Sequence, residues 1–169
     1  MHCFQPVDIG DVLNGQSRFG GNNMMLITAG DETKANTMTA SWGGFGYVWN
    51  KYVATIYVRE SRYTRKFLDE QDTFSLSFLD YEEFRRELKY LGMVSGRDED
   101  KIAAARLNIG IDEGVPYIDE ASNVILCKKL FSQKMEKENI LIPEIVSDTY
   151  KDDDMHIIYI GEITKVMIR

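Results

Sequence analysis

Residues 36–50 bring together the side chains best suited to hold a flat or anionic ligand. The run contains the amide of Asn36, the hydroxyls of Thr39 and Ser41, the indoles of Trp42 and Trp49, and glycines at positions 43, 44 and 46. Glycine allows a backbone to approach a ligand closely or to adopt a positive φ. The pattern predicts a strand that ends in a glycine-rich loop, whose N–H groups meet a planar or anionic ligand. A core strand followed by a glycine bulge is the alternative.

A basic segment follows at residues 59–68, although the chain as a whole is acidic. It carries four cationic residues, Arg59, Arg62, Arg65 and Lys66. Ser61 is expected to be the N-cap of a helix, with Tyr63 and Phe67 at helical spacing on its apolar face. The start of a helix offers free N–H groups, so Ser61, Thr64 and Arg59 or Arg62 could together hold a phosphate. The alternative is a capped surface helix whose basic side chains are solvated.

A third polar segment lies at residues 95–101, just before or within a short helix that runs to Leu107. It contains Ser95, Gly96, Arg97 and Lys101. Surface loops often have this composition. The segment is of interest as a second place where hydroxyl, glycine and basic groups could meet a ligand.

The length and charge of the chain limit the classes of function. A chain of 169 residues predicts a single domain over residues 1–169, with residues 1–21 as an N-terminal arm. A net charge of −7 argues against a general nucleic-acid binder or a protein held on an anionic membrane surface. No apolar run approaches the ~20 residues of a membrane span, and residues 1–11 lack the features of a signal peptide, so we expect a cytoplasmic protein. Cys3 and Cys127 show neither CxxC nor Cys/His ligand spacing, so no metal site is predicted.

The order of elements favours a small β-barrel with inserted helices over a βαβ array, because helices do not regularly separate the strands. Strands are predicted at residues 24–28, 37–42, 52–58, 73–79, 123–133 and 156–168, with a hairpin turn at 31–34. The strand at 73–79 alternates polar and apolar residues and is expected to be half-buried. A second helix should begin after Asp80 and stop at Gly92. Gly161 is placed where a bulge or bend would help the last strand close the barrel.

Four motifs, taken in order, carry a resemblance to a known family. They are N-x-M-T-A-S-W-G-G from Asn36 followed by W-N-K from Trp49, R-x-S-R-Y-T from Arg59, S-G-R-D-x-D-K from Ser95, and H-x-x-Y-I-G-E-I from His156. Together they span about residues 24–168. The sequence resembles the flavin reductase-like family, close to the flavoredoxins. The resemblance implies an FMN-binding split β-barrel, usually a homodimer with the flavin near the subunit interface.

The resemblance also implies a role for each matching position. The isoalloxazine would lie along Thr39, Ala40, Ser41 and Trp42, with Asn36 in the same motif. The ribityl phosphate would be met by Arg59, Ser61, Arg62 and Thr64, and the flavin supported by Ser95, Gly96 and Lys101. Trp49 and Tyr63 could stack on a ring, although large aromatic residues also form cores and dimer interfaces.

His156 and Cys127 each have two interpretations. By the resemblance, His156 lies near the nicotinamide position, where it could orient a hydride donor or exchange a proton with flavin N1 or N5. Alternatively it is a polar residue leaving an acidic loop, residues 152–154, whose carboxylates would favour its protonated form. Cys127 is read as a small buried hydrophobic residue, since only two lysines beside it suggest a lowered pKa.

The resulting functional prediction is an oxidoreductase that takes two electrons from NADH or NADPH onto FMN and passes them to an acceptor. The acceptor would be free flavin, a redox partner protein or a small oxidised substrate. The sequence has no Rossmann GxGxxG unit, so the nicotinamide donor would bind transiently. Two alternatives stay open: a flavoredoxin-type carrier that holds FMN tightly and is reduced by a partner protein, and a flavin-binding module without turnover.

Overall fold

A computed structural model of the chain describes residues 23–168, and its main feature is one large antiparallel sheet. The strands are β1 (Met25–Gly30), β2 (Ala35–Ala40), β3 (Gly43–Val48), β4 (Lys51–Arg59), β5 (Thr73–Phe78), β6 (Ile109–Asp112), β7 (Val115–Ile118), β8 (Asn123–Lys134) and β9 (His156–Ile168). Within the described residues, seven strands form the sheet in the order β2-β1-β5-β8-β9-β4-β3, and β6 pairs with β7 as a separate hairpin.

In residues 23–168, four helices and one short turn are inserted between the strands. They are α1 (Tyr63–Glu70), α2 (Tyr81–Met93), α3 (Lys101–Ala104), α4 (Pro143–Thr149) and the 3₁₀ turn Lys137–Asn139. The prediction of a mainly β fold with inserted helices is confirmed. The expected N-terminal arm at residues 1–21 lies outside the described residues.

The two edges of the sheet must lie close together. β2 and β3 stand at opposite ends of the strand order, yet only Ser41 and Trp42 connect them. Three steps of extended chain reach about 11 Å, so the sheet has to curl until its edges almost meet. Ser41 and Trp42 therefore lie at the seam of a split barrel.

Two apolar clusters, one on each face of the sheet, hold the fold together. Phe67 and Leu68 of α1 pack in the first cluster, with Phe74 and Tyr159 of the sheet. The second cluster joins Leu88 and Leu91 of α2 to Leu26, Leu126 and the β6–β7 region. All six residues of β1 are buried, because both faces of this strand are covered. The adjoining strand β2 is bonded to both helices. Asn36, near its start, donates to Thr64 of α1, and Thr39, near its end, donates to Leu88 O of α2.

The six predicted strands are present, with shifted ends, but two other expectations need correction. β5 is almost fully buried, because the Ser75 hydroxyl donates to Pro116 O (2.6 Å) and the Ser77 hydroxyl accepts from Ile118 N (3.1 Å). Both partners lie in β7, so the β6–β7 hairpin, which was not predicted, covers the polar face of β5. Residues 43–46 form strand β3 instead of a loop, and they pair with β4 from Gly43 opposite Ile56. The turn between these strands places Trp49 and Asn50 at positive φ (52° and 56°), as a two-residue hairpin requires.

Two predicted helix ends also differ. Ser61 is not the N-cap of α1, because its hydroxyl donates to Asp154 Oδ2 (2.6 Å). Arg62 is the N-cap residue, and its side chain makes no capping hydrogen bond. Gly92 lies inside α2, which continues to Met93, and a Cβ at this position would lie 3.3 Å from the Thr39 side chain. The predicted cap at Asp80 is present, since its carboxylate accepts from the N–H groups at 82 and 83.

Gly161 lies beside a register shift in the β8–β9 ladder, where Leu130 of β8 is the extra residue. A Cβ at Gly161 would lie 2.7 Å from the Phe74 ring, so close packing with the core also requires glycine here.

Candidate functional site

Two adjoining cavities contain most of the predicted site residues. The first, called here the tryptophan cavity, has a volume of about 250 Å³ and is lined by Met38, Thr39, Ala40, Ser41, Trp42, Tyr57, Arg59, Arg62 and His156. The second, the arginine cavity, has a volume of about 240 Å³ and is lined by Met38, Arg59, Ser61, Arg62, Tyr63, Thr64, Met93, Val94, Ser95, Arg97 and Lys101. Met38, Arg59 and Arg62 line both, so the two cavities form one continuous region.

Several distant segments meet at this region because of the strand order. Arg59 at the end of β4 pairs with His156 at the start of β9. The chain then enters α1 directly, which brings residues 61–64 to the same place. The Thr39 hydroxyl donates to Leu88 O (2.6 Å) and so joins the end of β2 to the end of α2.

The arginine cavity is cationic. Four of its lining residues carry positive charge, Arg59, Arg62, Arg97 and Lys101, and none of its described lining residues is a carboxylate. These side chains are held in place by backbone carbonyls, and of the four only Arg59 forms an ion pair with a described residue. The acceptors are Thr149 O and Asp154 O for Arg59, Gly92 O for Arg62, Ser61 O for Arg97, and Leu91 O and Val94 O for Lys101. The nearest acidic group is the Asp154 carboxylate, 4.0 Å from Arg59 Nη1.

Burial, with the crowding of positive charge added to it, lowers two pKa values in the arginine cavity. Burial, and then the neighbouring Arg62, lower the pKa of Lys101 to about 8. Burial is also the main cause that lowers the pKa of Arg62, with Arg59 adding to it and Asp154 opposing it. An anion bound in this cavity would relieve both costs.

The hydroxyl groups of the arginine cavity differ in whether their proton is available for a hydrogen bond to a ligand. Thr64 Oγ1 accepts from Asn36 Nδ2 (2.7 Å), and Ser95 Oγ accepts from Arg97 N (3.2 Å). Both hydroxyls therefore keep their own proton for a ligand. Ser61 has already given its proton to Asp154.

Asn36, Tyr63 and Gly96 form the wall behind these groups. Asn36 is buried, and a Cβ at Gly96 would lie 2.1 Å from Asn36 Oδ1, so the chain can pass here only with glycine. The Tyr63 ring lies under the Arg97 guanidinium at 5.0 Å. On the far side of this wall is a third cavity of about 500 Å³, which Asn36, Tyr63, Gly96, Arg97 and Lys101 also line.

The tryptophan cavity is lined by aromatic side chains, and fewer of its lining residues are engaged in side-chain hydrogen bonds than in the arginine cavity. Trp42 is half-exposed, and its ring lies 5.1 Å from the His156 ring. His156 is buried, and its Nδ1 lies 2.8 Å from the hydroxyl of Tyr150. Burial, and then Arg59, lower the pKa of His156 to about 4, while Asp154 opposes this shift. Asp154 of the acidic loop does favour the protonated form, as expected, but burial and Arg59 outweigh it, so the neutral imidazole is favoured at pH 7.

Comparison with known proteins places the chain in a family. Residues 18–169 match the family described as the flavin reductase like domain. The chain belongs to this family. A comparison with curated proteins gives no match.

Solved structures with the same fold include three proteins of related description. Flavoredoxin from Methanosarcina acetivorans has a TM-score of 0.66 at 23% identity, covering 86% of this chain and 68% of that one. An FMN-binding protein from Thermus thermophilus has a TM-score of 0.67 at 20% identity, covering 86% and 69%. The NADH:FAD oxidoreductase of Streptomyces globisporus has a TM-score of 0.65 at 16% identity, covering 86% and 75%. These likenesses show that the flavin reductase-like chain shares their fold.

One predicted position of this flavin reductase-like domain, Trp49, lies away from both cavities, and Cys127 has the structural role expected of it. Trp49 is at the β3–β4 turn, 6.4 Å from the Phe131 ring, and lines neither cavity. Cys127 is buried in the first apolar cluster, and burial raises the pKa of its thiol, in agreement with a small hydrophobic residue. The described residues contain no cluster of His, Cys, Asp or Glu suited to a metal ion and no helix long and apolar enough to cross a membrane.

Sequence reasoning missed three residues at the site. Arg97 lies in the segment 95–101, whose basic groups were considered for a ligand, but it was not among the residues assigned to the flavin. Tyr57 lies in a strand recognised only for its hydrophobic pattern. Tyr150 belongs to the acidic connection between β8 and β9, where nothing in the sequence indicated a partner for His156.

Proposed function

We propose that this chain is an FMN-binding oxidoreductase that accepts two electrons from NADH or NADPH and passes them to an acceptor. The observation that carries the proposal is the junction of a cationic cavity with an aromatic one, both built from the four family motifs. An acidic chain that gathers four cations around one cavity has a local use for them, and a phosphate ester is the ligand that best suits them.

The donors of the arginine cavity fit the phosphate of FMN. Thr64 and Ser95 each keep a hydroxyl proton, Lys101 keeps one N–H beyond its two carbonyl bonds, and Arg62 keeps several. Ser61 fits less well than predicted, because Asp154 holds its hydroxyl and places a negative charge beside the site.

The tryptophan cavity fits the flavin ring. Residues 39–42 follow the seam of the barrel. Ala40 forms the last pair of the β1–β2 ladder, and the backbone groups of Ser41 and Trp42 lie beyond it, where they are available to the polar edge of a ring. Thr39 acts indirectly, because its hydroxyl is already bonded to α2. Asn36 acts in the same way through Thr64.

When bound, FMN supplies the two-electron redox chemistry. The residues of the chain bind the phosphate, orient the ring and leave part of the tryptophan cavity open beside the half-exposed Trp42. A nicotinamide donor would approach there transiently. His156 faces this space in its neutral form, where it can orient a ligand by hydrogen bonding.

The proposal includes a homodimer formed through the β3–β4 hairpin. This hairpin exposes Tyr47, Trp49 and Tyr52, with Phe131 of β8 beside them. β3 is also an edge of the sheet. Exposed aromatic groups on an edge strand are typical of a surface that another chain covers.

The charge of the chain favours one alternative, an electron carrier reduced by a partner protein. A net charge of −7 suits docking to a basic partner. A flavin-binding module without turnover remains the third candidate.

A spectral experiment separates these functions. The protein is mixed with FMN, freed of excess flavin and then treated with NADH or NADPH without oxygen. Retained flavin bands that bleach support the proposal, whereas retained bands that persist indicate the carrier or the module, which reduction by a partner protein then distinguishes. If no flavin is retained, turnover with free FMN shows whether flavin is a diffusing substrate, and absence of turnover refutes the proposed function.

A further inference from the structure

Tyr150 holds a buried position beside His156 that no family motif includes. It directly follows α4, at the C-cap, and is 4% exposed. Its hydroxyl has two neighbours, His156 Nδ1 at 2.8 Å and Met135 Sδ at 3.9 Å. The Arg59 guanidinium lies 5.6 Å from the Tyr150 ring, and the same side chain donates to Thr149 O. Tyr150 is thus fixed from both sides.

The two neighbours determine where the phenol proton lies. A phenol has one proton to donate, and an imidazole nitrogen is a much stronger acceptor than a thioether sulfur. The short contact is also the one to Nδ1. The proton of Tyr150 therefore belongs in the bond to Nδ1, which assigns the proton of the neutral imidazole to Nε2.

The other ring nitrogen is available to a ligand. His156 lines the tryptophan cavity, and Nε2 has no hydrogen-bond partner among the described residues. Among the described residues, Glu87 Oε2 is the one side-chain nitrogen or oxygen atom that is both fully buried and without a hydrogen-bond partner. Because Nε2 of His156 also has no partner, it must be in contact with solvent.

We propose that Tyr150 is a positioning residue that holds His156 as a neutral Nε2–H donor toward an acceptor atom of the ligand in the tryptophan cavity. This inference rests on the proposed function for the nature of that ligand. It selects between the two roles considered for His156: the imidazole orients a bound ring and does not exchange protons with it. Burial, and then the charges of Arg59 and Arg62, disfavour the imidazolium, and Asp154 is the acidic group that opposes them.

The tautomer can be measured in the protein without flavin. The chain has two histidines, so a His2→Gln variant labelled with ¹⁵N leaves only the His156 ring signals. We expect Nδ1 to give the signal of an unprotonated, hydrogen-bonded nitrogen at pH 7 and Nε2 that of an N–H. A proton on Nδ1 would overturn the inference.

Paired variants test the role of Tyr150. Tyr150→Phe should shift the Nδ1 signal further toward that of a free unprotonated nitrogen. Tyr159→Phe, which removes another buried hydroxyl bonded to Asp69 (2.7 Å), should leave it unchanged. If Tyr150→Phe and Tyr159→Phe change the Nδ1 signal by the same amount, the positioning role is refuted.

Flavin affinity supplies the final arm. His156→Gln, which keeps an N–H donor, should bind FMN within about threefold of the wild type, whereas His156→Ala should bind it about tenfold more weakly. Equal losses in both variants would contradict the donor role. If the tautomer is as expected but the wild type binds no flavin, the proposed function is refuted. The arrangement of the His156–Tyr150 pair would still be supported in that case.

Discussion

The arginine cavity and the tryptophan cavity are neighbours built by opposite means. In the arginine cavity each cation is fixed by at least one backbone carbonyl, and Lys101 is almost fully buried. In the tryptophan cavity Trp42 is half-exposed, and the histidine of its lining, His156, is neutral. One end is prepared for a charged group before any ligand arrives, and the other is left open. We expect binding energy to come mainly from the first and exchange of reactants to take place at the second.

The end of α2 explains why so many cations are needed in the arginine cavity. Leu91 O, Gly92 O and Val94 O lie at the C-terminal end of this helix, which carries a partial negative charge. Lys101 and Arg62 bond these carbonyls and outweigh them. The same contacts keep both side chains in place, so the cavity loses little entropy when an anion binds.

Arg62→Ala should have the largest effect, because this residue lines both cavities. Loss of charge-assisted hydrogen bonds worth about 3 kcal/mol should weaken FMN binding by roughly 100-fold. Isothermal titration gives the dissociation constant. The matched control is Lys66→Ala, which removes an exposed cation of α1 paired with Glu70 and should leave affinity unchanged. Equal losses in both variants would mean that overall charge, and not the cavity, attracts the ligand.

Trp42→Ala should weaken FMN and riboflavin by the same factor, roughly tenfold, because it removes a ring contact and leaves the phosphate donors intact. Fluorescence titration with both ligands gives the ratio. A loss seen with FMN alone would show that the division between the two cavities is wrong. Phe84→Ala, a change in an aromatic residue packed against the second apolar cluster, controls for loss of fold stability.

FMN affinity should fall roughly fivefold between pH 7 and pH 9. The pKa of Lys101 is lowered to about 8, so in the free protein its positive charge is lost as the pH rises through that value. The phosphate, with a second pKa of about 6, stays doubly charged over this range. Lys101→Arg keeps its charge and should flatten the profile. An unchanged slope in that variant would remove Lys101 from the phosphate site.

Asp154→Asn should give the smallest change, a gain of roughly threefold in FMN affinity. The variant removes a negative charge 4.0 Å from Arg59 and keeps an oxygen that can accept from Ser61. Riboflavin, which has no phosphate, should show no gain. A loss of FMN affinity would mean that Asp154 is needed to hold Ser61 in a binding geometry.

The sequence predicted the parts of the site that are local and left out those that depend on folding. Arg62 and Thr64 were selected because a phosphate needs hydroxyls and cations close together in the chain, and both line the arginine cavity. The use of the Ser61 hydroxyl could not be foreseen, since Asp154 lies 93 positions away. Tyr150 gave no signal for a different reason: His156 is only six positions away, but their contact depends on the path of the irregular connection between α4 and β9.

The fold shows a similar division. Dense β-branched runs such as β4 and β9 were recognised from composition. β3 was taken for a loop, because a glycine-rich strand has no side-chain pattern and owes its existence to the ladder with β4. The closure of the sheet follows only when β2 and β3 are both known to be edges.

The most direct test of the account compares FMN with riboflavin on the wild-type protein by titration at pH 7. The two ligands share the ring and differ in the phosphate. If the arginine cavity holds the phosphate, FMN should bind about 100-fold more tightly. Equal affinities, or no binding of either, would contradict the assignment of the two cavities.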